Sequence, residues 1–280
     1  MSAPVEVAPR IARRFDALRA AGRKALVPFI TAGDPGLEDT VPAMHAMVAA
    51  GADAIELGVP FSDPMADGPT IQRSSERALA RGAGMAWVLD RVREFRRRDD
   101  DTPVTLMGYL NPVEIRGAEA FAAAAAAAGV DGVLLVDLPP EEAGDFRQAF
   151  TAHGVALVLL ASPTTGPARV EMLCSLAQGY LYYVSFAGVT GDSARLDAGA
   201  AGGQLRALRA RSPVPVVAGF GIHDAASAAA MAVDADGVVV GSALVKAMAA
   251  AGSGHAAAAA AGFLAPLRAA LDAGAAGAVG

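Results

Sequence analysis

Two carboxylates stand out in the stretch "AIELGVPFSDPMADGP", which covers residues 54–69. Glu56 lies inside an apolar run, and Asp67 follows eleven positions later, after a turn rich in Pro, Asp and Gly. A carboxyl group that is buried without a countercharge has a raised pKa and can exchange a proton near neutral pH. This pattern predicts general acid–base chemistry for Glu56, whereas the spacing of Asp67 fits an ordinary turn residue as well as a catalytic one.

The elements that must position these groups are short apolar runs that alternate with longer segments rich in Ala and Arg. The runs are apolar throughout rather than alternating, which is typical of strands covered on both faces. They cover residues 25–31, 54–59, 104–110, 132–138, 155–161, 180–185, 214–220 and 237–243.

Eight such strands, each followed by a helix, predict an α/β protein with a closed (β/α)8 TIM barrel. An open doubly wound sheet is the alternative, but it usually has fewer strands and one Gly-rich turn. We expect a single domain over residues 1–280, with an extra helix at about 7–22 that caps the barrel floor and a barrel at about 24–270.

The last two predicted strands end in glycine, at the barrel mouth where this fold places its working groups. The "GFG" of residues 219–221 and the "GS" of Gly241 and Ser242 leave room for an anion to approach backbone N–H groups and a helix start. The "GVTG" of residues 188–191 offers more N–H groups. Tight packing of strand on helix is the alternative, and the three features together favour a phosphorylated substrate.

Some chemistries are disfavoured by what the sequence lacks. The only lysines are Lys24, at the start of the first strand, and Lys246, in the helix after the eighth, so we expect neither at the mouth and no Schiff-base aldolase. The four histidines show no metal-ligand spacing, which disfavours a metal site. General acid–base catalysis by carboxylates remains.

The overall composition restricts partners and location. A net charge of -6 disfavours binding to nucleic acid or to an anionic membrane surface. The single cysteine, Cys174, excludes an intrachain disulfide and fits a reducing compartment. The longest apolar runs are too short to span a bilayer. We therefore expect a cytoplasmic protein.

Six motifs, which run in order from about Phe29 to Val245, closely resemble the tryptophan synthase α-subunit family: "PFITAGDP", "ELGVPFSDPMADGPTIQ", "LMGYLNP", "YYVSFAGVTG", "GFGI" and "ADGVVVGSALV". The resemblance implies a carbon–carbon lyase that cleaves indole-3-glycerol phosphate to indole and glyceraldehyde 3-phosphate, with no cofactor in this chain. It also implies that Glu56 protonates the indole ring at C3 and takes the proton of the adjacent side-chain hydroxyl. Asp67 would hold the ring N–H and stabilise the positive charge.

The resemblance further implies a set of binding residues. The phosphate contacts map onto Gly191, Gly221, Gly241 and Ser242. The indole pocket maps onto Phe29, Met107, Tyr109, Leu134, Tyr182 and Phe220, for which barrel core is the alternative interpretation. Thr190 matches the lid residue that meets the catalytic Asp when the loop after the sixth strand closes.

The same family works as an αββα heterotetramer and passes indole to a β subunit that carries pyridoxal phosphate. The resemblance places Pro60, Asp63 and Asn111 on the surface that faces this partner. Two other functions are alternatives. One is a stand-alone lyase that uses the same catalytic residues and releases free indole. The other is a catalytically silent barrel that activates a partner, and the presence of both carboxylates and of Thr190 disfavours it. Another barrel enzyme, which closes the indole ring, would need a lysine at the mouth and is disfavoured.

Overall fold

Eight parallel strands close into one barrel, in which each strand pairs with its neighbour in the chain and the eighth pairs with the first. The structure is a computed structural model, and it describes residues 6–184, 198–219 and 221–276. The strands are β1 (Ala25–Thr31), β2 (Ile55–Gly58), β3 (Val104–Gly108), β4 (Gly132–Leu135), β5 (Ala156–Ala161), β6 (Leu181–Val184), β7 (Val216–Gly219) and β8 (Gly237–Val240). The (β/α)8 barrel that the sequence predicts is thereby confirmed.

Helices cover the outside of the barrel and connect successive strands. They are α1 (Pro9–Ala20), α2 (Thr40–Ala49), α3 (Pro69–Ala80), α4 (Met85–Arg96), α5 (Asn111–Glu114), α6 (Ala118–Ala128), α7 (Gly144–Ala152), α8 (Pro167–Leu176), α9 (Ala198–Arg211), α10 (Ala225–Ala232), α11 (Ser242–Ala251) and α12 (Ala256–Ala276), with short 3-10 helices at Leu37–Asp39 and Pro140–Glu142. Since helices pack on the outer face and side chains fill the interior, the strands are buried on both faces. Every residue of β1 is buried, as its apolar run predicts.

The predicted strands extend too far at the mouth. The runs at 104–110 and 132–138 leave the sheet after Gly108 and Leu135, respectively. Ser242, which the sequence places at the end of the last strand, begins α11 instead. Apolar residues continue beyond the sheet because the mouth loops bury side chains as well, as Leu138 does.

Helix α1 packs at the floor of the barrel, at the amino ends of the strands. Its Ile11, Phe15 and Leu18 are buried and belong to the same apolar cluster as the inward-facing strand residues. The Phe15 ring lies 6.0 Å from that of Tyr180, centroid to centroid. The floor is therefore sealed, and any cavity must open at the other end.

Buried aspartates at the floor are bound to arginines. Asp131 accepts a hydrogen bond from the backbone N–H of Val104 at 2.8 Å and forms ion pairs with Arg96 at 2.7 Å and Arg10 at 3.0 Å. Asp53 repeats the arrangement with the N–H of Leu26 and with Arg268, each at 2.9 Å. These groups join a strand to its neighbour and to a helix, so their role is structural.

Helix α12 is longer than the sequence leads us to expect of any apolar segment in this chain. The apolar run that the sequence suggests is too short for a bilayer belongs to a helix whose span Ala256–Gly274 is long and apolar enough to cross one, by length and composition alone. In the barrel, this helix packs on α2, α10 and α11, and its Leu264 and Leu267 are buried. Its Arg268 forms the ion pair with Asp53 at the floor. Helix α12 is therefore packed against the barrel as one of its outer helices.

Candidate active site

A cavity of about 890 Å³ opens at the carboxyl ends of the strands. Glu56 and Asp67, which the sequence singles out, both line it. The predicted pocket and phosphate residues that join them in the lining are Phe29, Met107, Tyr182, Gly221, Gly241 and Ser242. The barrel thus brings most of the described candidates to one space.

Glu56 lies in β2 and is completely buried. The Tyr180 hydroxyl donates a hydrogen bond to its Oε1 at 2.7 Å, whereas its Oε2 is buried and has no hydrogen-bond partner among the residues that the structure describes. Burial raises the pKa of Glu56 to about 7, against the opposing effect of the Tyr180 hydrogen bond. The carboxyl group can therefore gain or lose a proton near neutral pH through a free oxygen.

Asp67 lies in the loop between β2 and α3 and is partly buried. The Tyr109 hydroxyl donates to Asp67 Oδ2 at 3.1 Å and accepts the N–H of Ala66 at 3.0 Å. Burial raises the pKa of Asp67, and the Tyr109 hydrogen bond opposes this rise. Gln72 Nε2 holds the Asp67 carbonyl at 2.9 Å. Asp67 is both a turn residue and a cavity residue, so the two interpretations of its spacing are compatible.

Phe29 and Tyr182 form aromatic walls of the cavity, and each depends on a glycine in the next strand. A Cβ atom at Gly58 would lie 2.6 Å from Cζ of Phe29, which is too close for real atoms. A Cβ atom at Gly219 would likewise collide with the Tyr182 hydroxyl. Because both glycines lack a side chain, the two rings lean against neighbouring backbone and leave the space between them open.

Three residues that the sequence predicts to bind phosphate, Gly221, Gly241 and Ser242, lie on the β7 and β8 side of the cavity. Gly221 has a left-handed backbone with φ of 71°, and Gly241 directly precedes the first residue of α11, Ser242. The first N–H groups of a helix have no partners within it and carry a partial positive charge. Gly241 has no side chain to cap them, so these donors are available to a ligand in the cavity.

Charged side chains at the cavity are divided between its sides. Asp137, which accepts the N–H of Leu110 at 2.8 Å, lines the cavity together with Glu56 and Asp67. His223 and Lys246 line the side that carries Gly241. The expectation that no lysine lies at the mouth is therefore wrong for Lys246. This residue faces the cavity because it lies one helical turn beyond Ser242, on the same side of α11.

Several predicted residues lie elsewhere. Leu134 is fully buried in the cluster beneath the cavity, because Val136, two residues further along the chain, occupies the lining position. Tyr109 borders a small adjoining void of about 10 Å³ rather than the main cavity. Thr190, Gly191 and Phe220 lie outside the described residues.

The predicted partner-facing residues differ in exposure. Asp63 and Asn111 are exposed, but Pro60 is buried, because it continues directly from the buried end of β2. The outward-facing part of this loop starts at Ser62 and includes Met65, whose surface is 85% exposed. Pro60 is therefore not a surface residue of this chain.

Sequence reasoning missed Tyr180, which binds Glu56. The signal was the run "YLYYVS", in which Tyr180 and Tyr182 are two positions apart and so face the same side of a strand. It also missed the cavity position of Lys246, for which the signal was the spacing of four residues from Ser242. Within the described ranges, no three His, Cys, Asp or Glu side chains come together as candidate metal ligands.

Comparisons with known proteins agree on one family. The family model "Tryptophan synthase alpha chain" matches residues 15–268. The tryptophan synthase alpha chain of Xanthomonas campestris pv. campestris (strain B100) is 72% identical over 266 residues, which cover 95% of this chain and 98% of that protein. The crystal structure of tryptophan synthase subunit alpha from Legionella pneumophila str. Paris superimposes with a TM-score of 0.88 at 45% identity and covers 94% of this chain and 98% of that one.

Proposed function

The chain belongs to the tryptophan synthase alpha-chain family, and from this premise we propose that Glu56 and Asp67 are its catalytic residues. It is a lyase that cleaves indole-3-glycerol phosphate and passes indole to a β subunit. What remains to be assigned is which side chains move protons, which hold the two ends of the substrate and how the partner binds.

Glu56 is the proton carrier in this proposal. Its protonated carboxyl group donates a proton to C3 of the indole ring, which turns the ring into a leaving group for the glycerol carbon. The resulting carboxylate then takes the proton of the hydroxyl on that carbon, so that the carbon–carbon bond breaks and an aldehyde forms. Indole and glyceraldehyde 3-phosphate leave, and Glu56 is protonated again, so protons balance without water.

One observation carries this assignment: Glu56 is fully buried at the cavity, with one oxygen held by Tyr180 and the other without a partner among the described residues. A pKa near 7 lets one group act first as acid and then as base. A carboxylate already paired with an arginine would do neither.

Asp67 stabilises the ring in the same scheme. Protonation at C3 makes the ring nitrogen positively charged, and a carboxylate that accepts its N–H lowers the energy of this state. The Tyr109 hydroxyl fixes one Asp67 oxygen and leaves the second for the substrate. Phe29, Met107 and Tyr182 supply the apolar surface that a flat indole requires.

The phosphate binds at Gly221, Gly241 and Ser242 in this proposal. Their side of the cavity combines a left-handed glycine with the N-terminus of α11. Gly191 and Phe220, and Thr190 as the lid residue, complete the proposal on family resemblance alone.

The partner is proposed to bind as an αββα heterotetramer through the surface that contains Asp63 and Asn111. Both side chains are exposed beside the cavity loops, where a β subunit would receive indole directly. We further propose that this chain needs no cofactor, that pyridoxal phosphate belongs to the β subunit and that the enzyme works in the cytoplasm. Light scattering of the mixed subunits tests the stoichiometry.

The test of the catalytic assignment is indole release by two isosteric variants. Glu56→Gln should lower turnover by about 1000-fold and Asp67→Asn by about 100-fold, because a proton carrier and a charge stabiliser are lost. Glu6→Gln, at an exposed position remote from the barrel mouth, is the matched control and should keep full activity. Indole release by Glu56→Gln at the wild-type rate would overturn the mechanism.

A further inference from the structure

The three acidic groups of the cavity lining lie on one side and two of its basic groups on the other, while a third basic group, Arg169, belongs to α8 after β5. Glu56, Asp67 and Asp137 come from β2, the loop after it and the end of β4, whereas His223 and Lys246 follow β7 and β8. In a closed barrel numbered in chain order, β3 lies opposite β7. A ligand with a negatively charged end therefore meets an orienting field across the mouth.

Lys246 is placed to act on the helix N-terminus. It lies four residues after Ser242, so the two share one face of α11, and both line the cavity. Long helical side chains tend to lean toward the helix N-terminus, which is the direction of Ser242 from Lys246. The residue is exposed, and no ion pair or hydrogen bond to its ammonium occurs within ranges 6–184, 198–219 and 221–276.

The other basic side chains of the cavity lining have partners within the chain. Arg169 forms an ion pair with Glu141 at 3.0 Å. His223 contacts the Gly221 carbonyl through Nδ1 at 2.7 Å and lies 3.5 Å from Asp224 through Nε2. The Lys246 ammonium is thus the cation of this lining that the described residues leave for a ligand. Glu56, which lines the same cavity, has one buried oxygen without a hydrogen-bond partner among the described residues.

We propose that Lys246 supplies the full positive charge that draws the substrate phosphate to Gly241 and Ser242 and fixes which end of the substrate enters this side. The inference rests on the proposed phosphate site. Backbone N–H groups offer only partial charges, and a chain with net charge -6 repels a dianion at long range. A lysine beside the helix N-terminus offsets that repulsion locally.

The test compares Lys246→Met, which keeps most of the side-chain length without the charge, with Lys246→Arg, which restores the charge. Arg97→Met removes one positive charge from an exposed position at the end of α4 and is the matched control. We would measure the KM for indole-3-glycerol phosphate, kcat, and the inhibition constant of glycerol 3-phosphate. Each would be measured at about 20 mM and about 300 mM salt, because electrostatic interactions are screened much more strongly at the higher concentration.

At low salt, Lys246→Met should raise the KM and the inhibition constant about fivefold and leave kcat within about twofold. The difference from wild type should shrink at high salt. Lys246→Arg and Arg97→Met should behave like wild type. An unchanged inhibition constant in Lys246→Met at low salt would overturn the inference, as would a fall in kcat with KM unchanged.

Failure of this inference differs from failure of the proposed function. If wild-type protein does not cleave the substrate, or if Glu56→Gln cleaves it normally, the proposed function is wrong whatever Lys246 does. If wild type is active and Glu56→Gln is not, while Lys246→Met binds glycerol 3-phosphate as tightly as wild type, only the role of Lys246 is wrong.

Discussion

The floor and the mouth of this barrel both contain buried carboxyl groups, but the two ends surround them differently. At the floor, Asp53 and Asp131 each receive a backbone N–H and at least one arginine. At the mouth, Glu56 and Asp67 receive tyrosine hydroxyls. Burial raises the pKa at both ends, but arginines oppose it only at the floor.

The difference teaches that the partner, not burial itself, separates a structural carboxylate from one that we propose as catalytic. A guanidinium stabilises the ionised form of the carboxyl group and ties it to a helix, so the group becomes part of the framework. A neutral hydroxyl occupies one oxygen and leaves ionisation finely balanced. The four variants below challenge this distinction, in order of decreasing expected effect.

Removing a floor arginine should cost the most stability. Arg268→Met leaves the Asp53 carboxylate buried with only a backbone donor, and we expect a loss of about 3 to 5 kcal/mol in the free energy of unfolding. Urea denaturation measures this loss, and Arg97→Met serves as control. Because the floor lies far from the cavity, kcat should stay within about twofold. A loss below about 1 kcal/mol would show that the floor pairs are not structural.

The raised pKa of Glu56 at the mouth should make the free energy of unfolding depend on pH. Glu56 has a folded pKa of about 7, above its ordinary value of 4.5. The folded state therefore binds the extra proton between these values, and the free energy of unfolding should fall by about 3 kcal/mol as pH rises through this window. Glu56→Gln should lose this component, as denaturation at pH 5 and pH 8 would show. An identical pH dependence in both proteins would contradict the buried, unpaired state.

Tyr180→Phe removes the one hydrogen bond that the described residues make to Glu56, a bond that favours its ionised form. The pKa of Glu56 should therefore rise, and the alkaline limb of the pH profile of kcat/KM should move upward by about one unit. A purely structural role would lower activity equally at all pH values. Tyr183→Phe, which alters a buried tyrosine on the outer face of β6, is a matched control and should leave the limb in place.

Tyr109→Phe tests the second carboxylate and should have the smallest effect. Without the hydroxyl, Asp67 and the Ala66 N–H each lose a partner, and we expect a loss of about fivefold in kcat/KM. Single-turnover measurement of indole formation separates a loss in chemistry from a loss in binding. A kcat/KM equal to that of wild type would show that Asp67 needs no positioning by Tyr109.

The sequence predicted the barrel and the burial of Glu56 because both depend on local composition. Short uninterrupted runs rich in Val, Leu and Ile are typical of strands that are covered on both sides, and a Glu within such a strand is buried with it. The layer of each side chain depends instead on register between strands. Met107 pairs with Leu134, yet Met107 lines the cavity and Leu134 lies beneath it. The amino-acid composition of a strand does not show which of two paired residues reaches the cavity.

Tyr180 and Lys246 escaped prediction for related reasons. The hydroxyl of Tyr180 reaches Glu56 across the barrel from a position 124 residues further along the chain. Lys246 reaches the cavity only because α11 begins at Ser242, whereas the sequence places that residue in a strand. The predicted last strand ends a few residues too late, and the prediction therefore places Lys246 away from the mouth.

The glycines behind the two aromatic walls set the width of the slot between them. Each wall stands where it does because Gly58 and Gly219 present hydrogen where any other residue would present a methyl group or more. Adding one carbon at either position would push a ring inward while most of the core stayed unchanged. In the proposed indole pocket, selectivity for a flat bicyclic ligand therefore depends on positions that need never touch it, Gly58 in β2 and Gly219 in β7.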